Sequence, residues 1–132
     1  MNKFIVILFA FFVGSSHASW QFIDKHPDYE LYINSNTLTK TAQGYRFTWI
    51  YSYTKPIRLG TRKTGYYDAL SFGYDEEINC STKEVRLFSS SPYSNTMGRG
   101  LIKTNTMNPQ WMSVYHKNKG EGIQKIFAKI CR

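Results

Sequence analysis

Tyr45-Arg46-Phe47-Thr48-Trp49-Ile50-Tyr51-Ser52-Tyr53-Thr54 is the stretch on which the fold turns. Each odd position carries an aromatic ring, and the even positions are polar apart from Ile50. Successive side chains of a strand point to opposite faces, so this alternation places all five rings on one side of a pleated strand. An alternating aromatic face is usually the core side of a sheet, and we read it so here.

Tyr66 to Ile78 alternates again, with Leu70, Phe72, Tyr74 and Ile78 on the even face. Cys80 continues that face and is expected to point inward. Trp20 to Ile23 and Tyr29 to Ile33 read as strands separated by Asp24 to Asp28, where Pro27 removes a ladder donor. Asn34-Ser35-Asn36 is turn chemistry. Thr37 to Thr41 is a short pairing segment before a hairpin-length turn at Ala42-Gln43-Gly44. Lys83 to Ser89 is a further strand, and Leu101 to Met107 can return as an edge strand. Lys55 to Gly65 reads as a loop, punctuated by Pro56, Gly60 and Gly65. Ser90 to Gly100 reads as turn-rich, with Gly98-Arg99-Gly100 as a tight turn.

Near the C-terminus the period changes. Ile123, Ile126, Phe127 and Ile130 fall at i, i+3, i+4 and i+7, one apolar helical face. Lys125, Lys129 and Arg132 lie off it, where positive charge suits the end of the helix dipole. The expected class is α+β: an antiparallel sheet with a C-terminal amphipathic helix packed on one face.

The chain has 132 residues, 17% of them aromatic, and a formal net charge of +8. That length supports one hydrophobic core, and the aromatic content argues against disorder. Lys3 followed by the apolar run Phe4 to Val13 and by Ser16-His17-Ala18 is the secretory pattern, with cleavage expected after Ala18. Residues 1–18 are therefore read as a signal peptide and 19–132 as a single domain. Removing Lys3 leaves 16 basic against 9 acidic residues, a net +7. The mature chain carries no apolar run of the roughly 20 residues a spanning helix needs. Export places Cys80 and Cys131 in an oxidising compartment, which favours one disulfide between them. A zinc site would need companions such as Cys-x-x-Cys, and none is present.

Catalytic motifs are missing. The mature chain holds His26 and His116 in no recognisable pattern, and there is no Gly-x-Ser-x-Gly, His-Glu-x-x-His or phosphate loop. Asp75-Glu76-Glu77 points to alternating faces of a strand and is read as solvated rather than as a cation site. No cofactor or metal is expected. Basic and aromatic composition suits single-stranded nucleic acid, but the secretory signal argues against it. Outside a cell, positive charge matches acidic proteins or anionic glycans. The candidate contact lies in 55–67, where Arg58, Arg62 and Lys63 can pair with carboxylates or sulfates and Tyr66 and Tyr67 can add apolar contact.

A set of residues spread over the mature chain resembles the surface-adhesin protein E family of Gram-negative bacteria. It comprises Trp49 in its aromatic strand, Asp75-Glu76-Glu77-Ile78-Asn79-Cys80, Arg86, Tyr93-Ser94, Gly98-Arg99-Gly100, Trp111 and the terminal Cys131. The resemblance implies a small antiparallel-sheet domain with helical content and a Cys80–Cys131 disulfide. It also implies host attachment, with vitronectin, laminin and plasminogen as ligands and haem as another. Trp49, Arg86, Tyr93, Gly98, Gly100 and Trp111 are read as structural members of the motif, so no binding site is carried across. The chain lacks the lipobox cysteine of the adhesin type, which leaves periplasm, cell surface and medium all open. The expected function is that of an exported, non-enzymatic binding module for extracellular-matrix or envelope macromolecules. The alternative is a periplasmic inhibitor or envelope-stress factor acting on an enzyme such as a lysozyme, although a cationic partner would approach against repulsion.

Overall fold

A computed structural model describes residues 19–132, and the expected signal peptide lies outside the described residues. In chain order the elements are β1 (Trp20–His26), β2 (Tyr29–Asn34), β3 (Thr39–Lys40), β4 (Gly44–Thr61), β5 (Gly65–Asn79), β6 (Glu84–Tyr93), β7 (Asn105–Thr106), β8 (Met112–Ser113) and α1 (Glu121–Ile130). The strands form one antiparallel sheet in the order β1-β2-β4-β5-β6-β7, with β3 added to β4 and β8 to β6.

The aromatic strand is central. Pairing sets Phe47 opposite Glu76, Trp49 opposite Tyr74 and Tyr51 opposite Phe72. Residues paired in this way share a face, so the rings of β4 and the even residues of β5 line one side together. Against that side docks α1, whose Ile123, Ile126 and Phe127 join Leu31, Ile33, Phe47, Trp49, Ile78, Val85 and Val114 in the core. The helix has an apolar stripe and the sheet an apolar face, and each covers the other. A disulfide joins Cys80, just after β5, to Cys131, just after α1, with their Cα atoms 5.4 Å apart.

Two loop readings are corrected. Lys55–Gly65 is not a loop: β4 runs on to Thr61 and β5 begins at Gly65. The ladder breaks after Ser52↔Ser71 and resumes at Ile57↔Ala69, so the chain bulges around Pro56, which has no N–H to give a ladder. Gly60 (φ 95°) and Gly65 (φ 85°) then serve the hairpin end. Proline and glycine punctuate a bulge and a turn inside a continuous strand pair. Likewise β6 continues to Tyr93, so only the part of Ser90–Gly100 beyond it is a loop. The expected edge strand over Leu101–Met107 is reduced to β7 and a single bridge between Leu101 and Tyr93.

Candidate functional site: a basic hairpin arm

β2 follows β4 only as far as the Tyr29↔Tyr53 pair, and Thr54 N–H then donates to the Asp28 carbonyl at 3.0 Å. Beyond that point, among the described residues, β4 and β5 have no third strand on the β2 side. The two strands continue as an arm whose last pairs run from Ile57↔Ala69 to Thr61↔Gly65. Its tip is closed by side chains as well as backbone. The Thr61 and Thr64 hydroxyls lie 2.9 Å apart, and each also accepts the other residue's backbone N–H at 3.1 Å. Arg62 and Lys63 stand exposed at this braced apex.

The pairing sorts the five candidate residues. Arg58 lies opposite Asp68 and Gly60 opposite Tyr66, so Arg58 and Tyr66 share one face, while Tyr67 lies opposite Leu59 on the other. On the first face the Arg58 guanidinium sits 5.9 Å from the Tyr66 ring centre and 3.7 Å from the Asp68 carboxylate. Both charged side chains of that pair are well exposed, so water screens it and it adds little stability. On the second face Lys103 Nζ stands 5.3 Å from the Tyr67 ring centre. The arm thus places Arg58 beside Tyr66 on one face, Tyr67 with Lys103 on the other, and Arg62 and Lys63 at the apex. Nothing in the sequence pattern connects Lys103 to Tyr67, because most of β5 and all of β6 lie between them in the chain.

The acidic run is corrected too. It alternates between faces but is not solvated: Glu76 and Glu77 are 1% and 4% exposed. Each acid has its own cation. Asp75 accepts from Arg46 Nε and Nη2 at 3.2 and 3.0 Å, Glu76 from Lys119 at 3.2 Å, and Glu77 from Arg86 Nε at 2.8 Å. Burial raises the Glu76 carboxyl above its ordinary range, against the opposing pull of Lys119. The Trp49 Nε1–H beside it is buried and makes no hydrogen bond of normal geometry, although its nearness still favours the carboxylate.

The remaining motif residues occupy structural positions. Trp49 is in the core beneath α1, and Arg86 lies over the Trp111 ring at 4.6 Å while holding Glu77. Tyr93 bridges to Leu101 at the end of β6. Gly98 (φ 67°) and Gly100 (φ 74°) make the expected tight turn, in which Ser94 N–H donates to the Gly100 carbonyl at 2.8 Å and Asn95 N–H to that of Arg99 at 3.0 Å. His26 and His116 each accept a backbone N–H on Nδ1, from Asp28 and Asn118 respectively.

A family model described as surface-adhesin protein E matches residues 20–132. Comparison with curated proteins gives no match. Among solved structures, crystal form II of Haemophilus influenzae protein E superposes with a TM-score of 0.56 at 16% identity, covering 83% of this chain and 91% of that one. Its selenomethionine form gives 0.53 at 15% identity over 83% and 89%. Protein E from non-typeable Haemophilus influenzae gives 0.53 at 17% identity over 81% and 75%. At these identities the structures speak for the fold, and the family model reaches across the described domain. The chain belongs to the surface-adhesin protein E family.

Proposed function

We propose that this protein is an exported, non-enzymatic binding module that attaches to acidic or sulfated groups on extracellular macromolecules through the β4–β5 arm. The observation that carries the proposal is the arm itself: Arg58, Arg62 and Lys63 stand in solvent on a strand pair already held by backbone hydrogen bonds. A preformed arm loses little backbone freedom on binding, so more of its contact energy reaches the complex. Arg58 offers a planar fork suited to carboxylate and sulfate, and Tyr66 supplies adjoining apolar surface. The secretory N-terminus and the membership of an adhesin family support an extracellular or envelope partner.

Binding of the mature protein to heparin and to immobilised laminin tests this. The triple variant Arg58→Ala, Arg62→Ala, Lys63→Ala should elute from heparin at lower salt and show a shallower dependence of affinity on ionic strength. Its stability should stay within about 0.5 kcal/mol of wild type, because all three side chains are exposed. Unchanged affinity and salt dependence would retire the arm as the contact.

A further inference from the structure

The sheet face opposite α1 carries a groove. Thr48, Asp75 and Ser89 follow one another across β4, β5 and β6 in one register row, and Ile50, Gly73 and Ser91 form the next. Apart from Ile50 the side chains of both rows are short, and the cavity above them measures about 420 Å³. That lies in the size range of small-molecule sites, roughly 300–1,000 Å³. Trp20, Trp49, Tyr74 and Tyr93 are among its lining residues; Trp49 and Tyr74 turn their rings to the core on the other face, which leaves Trp20 and Tyr93. Tyr93 packs over Gly73, where a Cβ would stand 3.1 Å from the Tyr93 ring, and Trp20 abuts Gly98, where a Cβ would stand 3.2 Å from the indole.

The chemistry of the trough differs from that of the arm. Although the protein is strongly basic, no lysine or arginine lines this cavity among the described residues. Its one carboxylate, Asp75, is neutralised from outside by the two Arg46 hydrogen bonds. A phosphate, sulfate or free carboxylate would therefore find no charged partner. A wholly apolar ligand would strip water from several hydroxyls and a carboxylate without replacing it.

The hydrogen bonding also fixes which groups remain available. The Thr48 hydroxyl, 2.9 Å from that of Thr37, keeps a lone pair whichever of the two donates. Ser91 donates to Thr104 at 3.3 Å, which leaves the Thr104 O–H free to give a bond. Each Asp75 oxygen accepts one bond from Arg46 and can accept another. Acceptors and a donor thus line the same cavity as Trp20 and Tyr93. A ligand that matches has hydroxyls that both give and take hydrogen bonds, no net charge, and C–H faces to lay against a ring.

We propose that this groove binds a neutral pyranose, free or as one unit of a glycan, independently of the arm. The test is titration of the mature protein with glucose, galactose, N-acetylglucosamine, lactose and maltose, followed by calorimetry and saturation-transfer NMR. At least one should bind with a Kd below about 10 mM. Trp20→Ala and Asp75→Asn should each weaken that sugar by about tenfold or more, with Trp20→Phe recovering much of the loss. Thermal melting checks that each variant is folded, and Asp75→Asn keeps the side-chain shape should Trp20→Ala unfold. The triple arm variant should bind the sugar within about twofold of wild type while losing heparin, so the two proposals fail separately. Absence of binding across the panel and across polymers of the same sugars, or a sugar affinity indifferent to both Trp20→Ala and Asp75→Asn, would overturn the assignment. If a polymer of the same sugar binds where the monomer does not, and Asp75→Asn abolishes it, the glycan is the source.

Discussion

Lys119 Nζ stands 3.2 Å from Glu76 Oε2, pinning the segment before α1 to the middle of the sheet, with both side chains largely removed from solvent. The carboxylate lies on the core face opposite Phe47, where an unpaired charge would be costly. Lys119 is what makes its burial tolerable.

Removing that partner should therefore cost stability in a pH-dependent way. In the unfolded chain Glu76 titrates near 4.5, and burial raises it in the native state. A native pKa above the unfolded one means that the group's stabilising contribution is full below the unfolded pKa and is lost as pH rises through the native one. Lys119→Ala takes away the cation that limits the rise, so the loss grows. Urea unfolding should show Lys119→Ala less stable than wild type by about 3 kcal/mol near neutral pH, narrowing towards pH 4.5. A difference independent of pH would mean that Lys119 contributes packing alone.

Gly122 sits in the first turn of α1, where the helix meets the sheet. A Cβ there would lie 2.8 Å from Tyr51 Cζ and 2.9 Å from Trp49 Cζ3. Glycine to alanine in a helix normally gains up to about 1 kcal/mol of propensity. Here overpacking should reverse the sign, and Gly122→Ala should destabilise by about 1–3 kcal/mol in thermal or urea unfolding. A more stable variant would show that the helix can slide away at no cost.

The disulfide ties residues 51 apart in sequence. By loop-closure entropy, a link of that span restrains the unfolded chain by about 4 kcal/mol. Reduction should lower Tm by on the order of 10 °C or more, with the sheet retained at room temperature. An unchanged Tm under full reduction would mean that contacts between α1 and the sheet alone hold the C-terminus.

Arg86 grips Glu77 with Nε and Nη2 at 2.8 and 2.6 Å while its plane covers Trp111. Lysine retains the charge but neither the fork nor the flat stacking surface. Arg86→Lys should cost about 1–2 kcal/mol and Arg86→Ala about 3 kcal/mol, because alanine strands a buried carboxylate. Equal stability of wild type and Arg86→Lys in urea would show that charge alone suffices.

Local pattern determined the secondary architecture of this protein. The rings at Tyr45, Phe47, Trp49, Tyr51 and Tyr53 imposed a strand with one buried face, and Ile123, Ile126, Phe127 and Ile130 imposed a helix to cover it, since periodicity is written in consecutive residues. The Cys80–Cys131 pairing followed because only two cysteines were available to an oxidising compartment. Tertiary structure decided the rest. Whether Pro56 ends a strand or merely bulges it depends on a partner strand that resumes at Ala69. Whether Glu76 and Glu77 are solvated depends on Lys119 and Arg86, the first of them 43 residues away. The groove is the extreme case, because Trp20, Thr48, Gly73, Asp75, Ser91 and Thr104 lie on strands and loops scattered over most of the domain. No window of sequence contains them together, and only strand register sets their rows side by side.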